Sequence, residues 1–379
     1  MILLLVIGTA GYLILLVILG IGLSRLGKSG NSDRPYVSVL VAARNEEANV
    51  GACVEALLAQ DYPRDRVEII VIDDASTDKT ASIVQQYHAT DSRVRLIQAG
   101  PNPEGLGPKK NAIRWGIASS KGDIIVTTDA DCTPPRSWLS VIVPYFDEGI
   151  GVVAGPSILT ADNNWLTGWL RLENLGNIAI YAGSIGLDFP VGAQGANLAY
   201  RRELWDALGF GESGKTFSGD DDLFVQRVAQ DGRWRVRYAF ESSATVPHRH
   251  HVTGRSTVGQ KRRHLSVVRW YRPAIVVLAA LVTAYHALLA LSLVIGLFVF
   301  PTFLTWLLCT GVKTLGDGLI LEKVAVRLEV KLPWHWLPVA EILRPFALLF
   351  LTPMSLVGQV SWKGRARSAA PASDPGKPT

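Results

Sequence analysis

The chain predicts an α/β domain, a mostly parallel sheet with helices on both faces, held at a membrane by transmembrane helices. Three observations carry that reading. Between residues 37 and 129, short strand-like apolar runs alternate with single amphipathic helices, the pattern of a parallel sheet. Apolar stretches long enough to cross a bilayer lie before and after this region. Each conspicuous polar cluster follows a strand-like run, and sheets of this kind bind ligands outside the carboxyl ends of their strands.

The first apolar stretch is ILLLVIGTAGYLILLVILGIGL, residues 2 to 23. No basic residue precedes it and no A-x-A-like cleavage site ends it, so it reads as an anchor over residues 1–24 and not as a cleaved signal. Arg25, Lys28 and Arg34 follow, which by the positive-inside rule puts the N-terminus outside and the next domain in the cytoplasm. That domain covers residues 35–245. It opens with VSVLVAA (37–43), a buried strand, and a helix with Val50, Cys53, Val54, Leu57 and Leu58 at helical spacing. VEIIVID (67–73) is the next strand, and Ser76 or Thr77 is the expected cap of the helix after it. VRLIQA (94–99), a helix near 110–119 and DIIVTTD (123–129) continue the series.

Residues 246–272 read as an amphipathic segment at the bilayer surface, with basic residues beside Trp270 and Tyr271. The histidines of HRHH (248–251) read as a solvated or headgroup-facing stretch, since no cysteine accompanies them, with the alternative that one of them reaches a metal or diphosphate as the loop closes. A C-terminal membrane region follows over 273–361. Its block from Pro273 to about Gly311 is too long for one span, and Gly296 or Pro301 marks the turn of a helical hairpin. A third segment, from Leu337 to about Val360, is interrupted by Arg344, Pro345 and Pro353, and either crosses or re-enters. The tail, 362–379, is basic and then rich in Ala, Pro, Ser and Gly, a composition that predicts disorder. The chain is therefore expected to be a multi-pass protein of the inner (cell) membrane. Cys53, Cys132 and Cys309 lack metal spacing, which fits buried thiols in a reducing compartment. The net charge of +5 gathers near the spans at Arg262, Arg263, Arg269 and Arg272, which suits anionic lipid headgroups and not nucleic acid.

Three acidic clusters end successive strands: Arg44-Asn45-Glu46-Glu47, then Asp73-Asp74 with Asp78, then Asp129 and Asp131. Residues two apart on a strand share a face, so Asp129 and Asp131 present two carboxylates together, which need a cation or proton between them. Lys109 and Lys110 open a helix after a Gly- and Pro-rich loop, a setting that suits phosphate.

In their order, SVLVAARNEE, VIDDASTDKT, GPKKNAI, TTDADC, GANLAYRRELW, SGDDDL and QKRRH resemble the family 2 glycosyltransferases of the GT-A fold, a Rossmann-like nucleotide-diphospho-sugar transferase fold. The likeness runs from about Val37 to His264; the spans and the SWKGRARS tail also look similar to small bacterial members that glycosylate lipids or carotenoids. The resemblance implies that Asp129-Ala130-Asp131 is the D-x-D motif, with Asp131 and Asp129 on a Mg²⁺ or Mn²⁺ ion at the donor diphosphate. It implies donor contacts from Arg44, Glu46, Asp73, Asp74, Lys109, Asp129 and Asn197. Arg114 stands where the family often has Asn and is expected to pair with phosphate or a nearby carboxylate. Asp220 matches the aspartate of the family's E-D motif, the catalytic base, although Gly219 replaces the glutamate and Asp221 follows, so either Asp220 or Asp221 fills the role. Gln260, Arg263 and His264 resemble Q-x-x-R-W on the acceptor or phosphate side, with His264 where chain-extending synthases have tryptophan.

The expectation is a metal-dependent, inverting hexosyltransferase moving one sugar from a UDP-sugar to a lipid or carotenoid acceptor at the cytoplasmic face, forming a glycolipid. A processive polysaccharide synthase and a non-catalytic subunit that only binds nucleotide-sugar are the rival readings.

Overall fold

The computed structural model describes residues 1–379 except 29, 161–163, 217, 250–253, 357–358, 363–364 and 369–379. A seven-stranded sheet forms its centre. Strands β1 (Val37–Ala43), β2 (Val67–Asp73), β3 (Val94–Gln98) and β4 (Ile124–Asp129) run parallel, joined by helices α2 (Val50–Leu58), α3 (Thr80–Thr90) and α4 (Pro108–Ala118). After the short α5 (Trp138–Ile142), β5 (Ile150–Ala154) enters the same sheet, and β6 (Ser157–Leu159) leaves it. Helix α6 (Trp165–Gly186) leads to β7 (Leu198–Arg201), which runs antiparallel between β4 and β5; α7 (Arg202–Leu208) and α8 (Asp222–Asp231) precede the edge strand β8 (Arg235–Tyr238). Strand β9 (Val246–His248) pairs with β6 in a separate two-stranded sheet. The sheet order is β3-β2-β1-β4-β7-β5-β8.

The parallel strands are continuous apolar runs because both of their faces are covered. All seven residues of β2 are buried. On one face lie Val54, Leu57, Val84, Trp138 and Leu139; on the other lie Ile113 and Ile117 of α4 with Leu172, Leu175, Ile178 and Ile185 of α6.

Helix α6 buries Leu172, Leu175, Ile178, Ala179, Ala182 and Ile185 in the core, while Trp165 near its start and Ile180 are exposed. The same apolar cluster continues into the membrane helices through Leu321, Val324, Leu337 and Ala340, so α6 joins the two halves of the molecule.

Among the described residues, three helices are long and apolar enough to cross a membrane: α1 (Ile2–Arg25), α10 (Pro273–Gly296) and α11 (Phe300–Arg327). Leu3, Leu315 and Leu319 are 70%, 70% and 72% exposed, as lipid-facing side chains must be. The hairpin turn falls between Gly296 and Phe300, with Pro301 in the first turn of α11, where its missing N–H has no partner to lose. Both ends of this hairpin touch the α/β domain: Arg272 N donates to Gln226 Oε1 at 3.0 Å, and Arg327 Nε donates to Phe240 O at 2.8 Å.

Helix α1 meets α6 at glycines. A Cβ on Gly22 would lie 2.0 Å from Gly183 O, and one on Gly186 would lie 2.1 Å from Gly22 O. Two backbones approach this closely only where neither residue has a side chain.

Helix α12 (Leu337–Leu356) contains the Arg344 that interrupts its apolar pattern, and the packing answers it. Arg344 pairs with Glu341 at 2.9 Å, Glu341 with Lys313, and Lys313 with Asp317 at 2.7 Å, while Tyr12 of α1 donates to Asp317 at 2.8 Å. Two positive and two negative charges thus cancel within the helix bundle. The amphipathic segment forms α9 (Gly254–Ser266), packed on α12. Part of the tail expected to be disordered is paired instead: β10 (Gln359–Trp362) and β11 (Arg365–Ser368) form an antiparallel hairpin, and the Pro- and Ser-rich remainder lies outside the described residues.

Candidate active site

Strands β1, β2 and β4 are neighbours that end level with one another: Ala43 pairs with Asp73, and Ala42 with Asp129. The three acidic clusters therefore converge on one edge. The first two loops are knitted together. Asn45 N donates to Ser76 Oγ at 3.0 Å, Thr77 N to Asn45 Oδ1 at 2.8 Å, and Glu47 N to Asp78 Oδ2 at 3.0 Å. Ala75 sits at φ 54°, a conformation that costs a non-glycine residue roughly 1–3 kcal/mol. Arg44 holds that turn by donating to the carbonyls of Asp74 and Ala75, so one end of its guanidinium shapes the pocket wall.

Asp73 and Asp74 are buried at the strand end; Asp73 Oδ1 accepts from Ser76 N at 3.2 Å, and Glu46 Oε2 accepts from Asn49 Nδ2 at 2.9 Å. The cap of α3 is neither Ser76 nor Thr77: Asp78 Oδ1 accepts from Thr80 N at 2.9 Å. An aspartate two residues before the helix reaches its free N–H, whereas Ser76 and Thr77 are occupied by the Asn45 loop.

At the end of β4, Ala130 and Cys132 are buried while Asp129 and Asp131 alternate outward, as two carboxylates on one face should. Lys109, in the first turn of α4, lies across them. Its Nζ is 2.8 Å from Asp129 Oδ1 and 3.1 Å from Asp220 Oδ2. Burial would pull the ammonium down, but the charges of Asp129, Asp220 and Asp221 outweigh it and hold Lys109 well above the ordinary lysine value.

Lys110 does not face phosphate. It turns into the protein, where Nζ donates to Ser213 O at 2.7 Å, Thr216 Oγ1 at 2.6 Å and Ser218 O at 3.0 Å, and burial draws it down to about 8. It fixes the loop that delivers Asp220.

The three consecutive aspartates have three environments. Burial raises Asp220, but Lys109 and Lys110 win and keep it below the usual carboxylate range. Asp221 caps α8: Oδ1 accepts from Asp222 N and Oδ2 from Gly195 N, both at 2.8 Å. Burial and then the charge of Asp220 push it up to about 6. Asp222 is buried and accepts from Ala193 N at 3.1 Å, with burial and Asp221 driving it well above its ordinary value.

Some residues singled out in the sequence stand elsewhere. Asn197 is fully buried. Its Nδ2 donates to Pro156 O and Ala244 O, both at 2.8 Å, and its Oδ1 accepts from Trp138 Nε1 at 2.9 Å, so it pins the loop behind the site. Arg114 pairs with Glu104 at 3.7 Å and donates to Asn111 Oδ1 at 3.1 Å, on the outer side of α4. Gln260, Arg263 and His264 lie on α9, whose Lys261 is 2.5 Å from Glu173 of α6.

The short strand β9 carries His248 beside the D-x-D turn. It bridges Cys132, Arg249 N donates to Asp131 O at 3.0 Å, and His248 Nδ1 is 2.9 Å from Ser157 Oγ. His250 and His251 lie outside the described residues.

Two family models match the chain, "Glycosyl transferase family 2" over residues 38–209 and "Glycosyl transferase family group 2" over residues 124–321. Among curated relatives, the probable glycosyltransferase YdaM of Bacillus subtilis is 32% identical over 198 residues, covering 51% of this chain and 47% of that protein. A beta-monoglucosyldiacylglycerol synthase of Synechocystis is 37% identical over 120 residues, covering 32% of this chain and 25% of that one. The chain thus spans between a quarter and about half the length of these relatives. Among solved structures, the mannosyltransferase PcManGT of Pyrobaculum calidifontis, in complex with GDP-Man and Mn²⁺, superposes with a TM-score of 0.59 at 19% identity. That likeness covers 93% of this chain and 96% of the other, and at this identity it speaks for the fold.

Proposed function

The chain belongs to the family 2 glycosyltransferases, and from that premise we propose that it is a membrane-bound inverting enzyme that moves one sugar from a UDP-sugar to a lipid acceptor at the cytoplasmic face. The observation that carries the reading is Lys109, whose ammonium joins Asp129 of the D-x-D motif to Asp220 in one half-buried site. The beta-monoglucosyldiacylglycerol synthase among its relatives supports a lipid acceptor, and so does the apolar core that α6 shares with the membrane helices.

A divalent cation fits the residues present. Asp129 and Asp131 offer hard carboxylate oxygens on one face, and among the described residues no group of three ligating side chains gathers there. One or two carboxylates completed by substrate phosphates is the usual way Mg²⁺ is held. When bound, such an ion neutralises the charge that grows on the departing diphosphate.

The chain's own residues do the rest. Asp73, Asp74 and Glu46 line the nucleotide side, and Lys109 supplies positive charge to the phosphate side. Asp220 takes the proton of the acceptor hydroxyl as that oxygen bonds to the anomeric carbon and the carbon–phosphate oxygen bond breaks; a positioned base contributes roughly 10²–10⁴-fold. A single displacement inverts the anomeric configuration. Asp220 is preferred to Asp221 because both oxygens of Asp221 accept backbone N–H groups, whereas Asp220 faces Lys109. Asp220→Asn should abolish sugar transfer while donor binding, measured by calorimetry, stays intact. Transfer at the wild-type rate would remove Asp220 from the mechanism.

The basic run after α1 and the arginines of 262–272 support a cytoplasmic catalytic domain resting on anionic headgroups.

A further inference from the structure

Asp222 has no part in the chemistry above, yet both of its carboxylate oxygens are hydrogen-bonded. It is 6% exposed. Its Oδ1 accepts from Ala193 N at 3.1 Å, and its Oδ2 accepts from Tyr271 O–H at 2.5 Å. These donors come from two bodies: the strap that leads into β7 and the segment just before α10.

Tyr271 is two residues ahead of Pro273, where that span begins. Its neighbour repeats the attachment. Arg272 N donates to Gln226 Oε1 at 3.0 Å, Gln226 Nε2 donates to Val191 O at 2.8 Å, and the Arg272 guanidinium lies 4.9 Å from the centre of the Phe189 ring. The first two turns of α8 are thus fastened to the start of a membrane span. Asp220 lies two residues before Asp222, on the same α8 N-terminus that Asp221 ties to Gly195 N.

We propose that Tyr271, acting through Asp222, is a positioning residue that aligns the Asp220 carboxylate with the acceptor by bolting the base-bearing end of α8 to the membrane-proximal segment. The inference rests on the reading of Asp220 as the base. Substrate-positioning groups matter steeply, since a small displacement of a base lowers turnover without weakening donor binding. The donor side, built on β1, β2 and β4, makes no contact with Tyr271 among the hydrogen bonds of the described residues.

The test compares Tyr271→Phe and Asp220→Asn in the full chain, reconstituted in phospholipid vesicles. Phenylalanine keeps the ring and removes only the donor. Tyr271→Phe should lower kcat by roughly tenfold or more, with the donor KM, UDP affinity and melting temperature unchanged. Wild-type kcat in Tyr271→Phe, alongside an inactive Asp220→Asn, overturns this inference and leaves the base assignment standing. Loss of donor affinity or of melting temperature in step with kcat would mean a merely structural contact, and overturns it too. An active Asp220→Asn removes the base assignment and the inference together.

Discussion

Replacing Lys109 by methionine removes the cation that holds Asp220 ionised. Its Nζ is 3.1 Å from Asp220 Oδ2, with the two side chains 20% and 12% exposed, so solvent screens the pair only partly. At an effective dielectric of about 20, one such contact is worth roughly 5 kcal/mol before desolvation is counted. Desolvation offsets much of this, and an adjacent cation ordinarily lowers a carboxylate by about 1–3 pKa units, or roughly 1.4–4 kcal/mol.

The sign follows from the direction of the shift. Lys109 keeps Asp220 below the usual range, so Asp220, as the proposed base, stays ionised as the pH falls through mild acid. Without Lys109, Asp220 rises, and the acid limb of kcat/KM should move to higher pH. The assay is the pH dependence of kcat/KM for both proteins, each normalised to its own plateau so that any loss of phosphate binding cancels.

The same profile separates the two candidate bases. Asp221 is pushed up to about 6, so an enzyme that used it would lose activity below that pH even with Lys109 in place. Identical acid limbs in wild type and Lys109→Met would refute the claim that Lys109 sets the protonation of the base. A wild-type limb near 6 would transfer the role to Asp221.

Two further outcomes are expected. Asp131→Asn should weaken metal-dependent donor binding at least tenfold with an unchanged melting temperature, because a strand-end carboxylate supports little packing; titration of UDP with and without Mn²⁺ checks this, and equal metal response in both proteins would contradict it. Gly22→Val should destabilise the solubilised protein by about 1–3 kcal/mol, since its Cβ would lie 2.0 Å from Gly183 O and the two helices must part; an unchanged melting temperature would show that α1 does not bear on α6 as described.

Much of this architecture was legible in the residues because the physics was local. VSVLVAA and VEIIVID are strands with the expected limits, since a strand buried on both faces must be apolar throughout. The hairpin of α10 and α11 followed from length and from Gly296 and Pro301. What stayed hidden depended on partners far along the chain. LAYR (198–201) is too short to declare itself, and it becomes a central strand only because β4 and β5 flank it. Arg344 looked like an interruption of α12 until Glu341, Lys313 and Asp317 closed around it.

At the site, the carboxylates at three strand ends could be read in advance, because the parallel topology brings such ends together. The division of labour between Lys109 and Lys110 could not. Adjacent residues on a helix point about 100° apart, and only the packing of Ser213, Thr216 and Ser218 decides which one turns inward. Asn197 was unreadable for a related reason: its burial and its bonds to the carbonyls of Pro156 and Ala244 depend on partners far along the chain.

The most direct test of the account is nucleotide release by the purified full chain, offered a panel of UDP- and GDP-sugars with Mn²⁺ or Mg²⁺, with and without membrane lipid extract. The account predicts UDP release from one sugar donor that requires both metal and lipid, with a lipid product carrying a single sugar of inverted configuration. Release from a GDP-sugar alone, polymer formed without added lipid, or no release from any donor in the presence of lipid would contradict it.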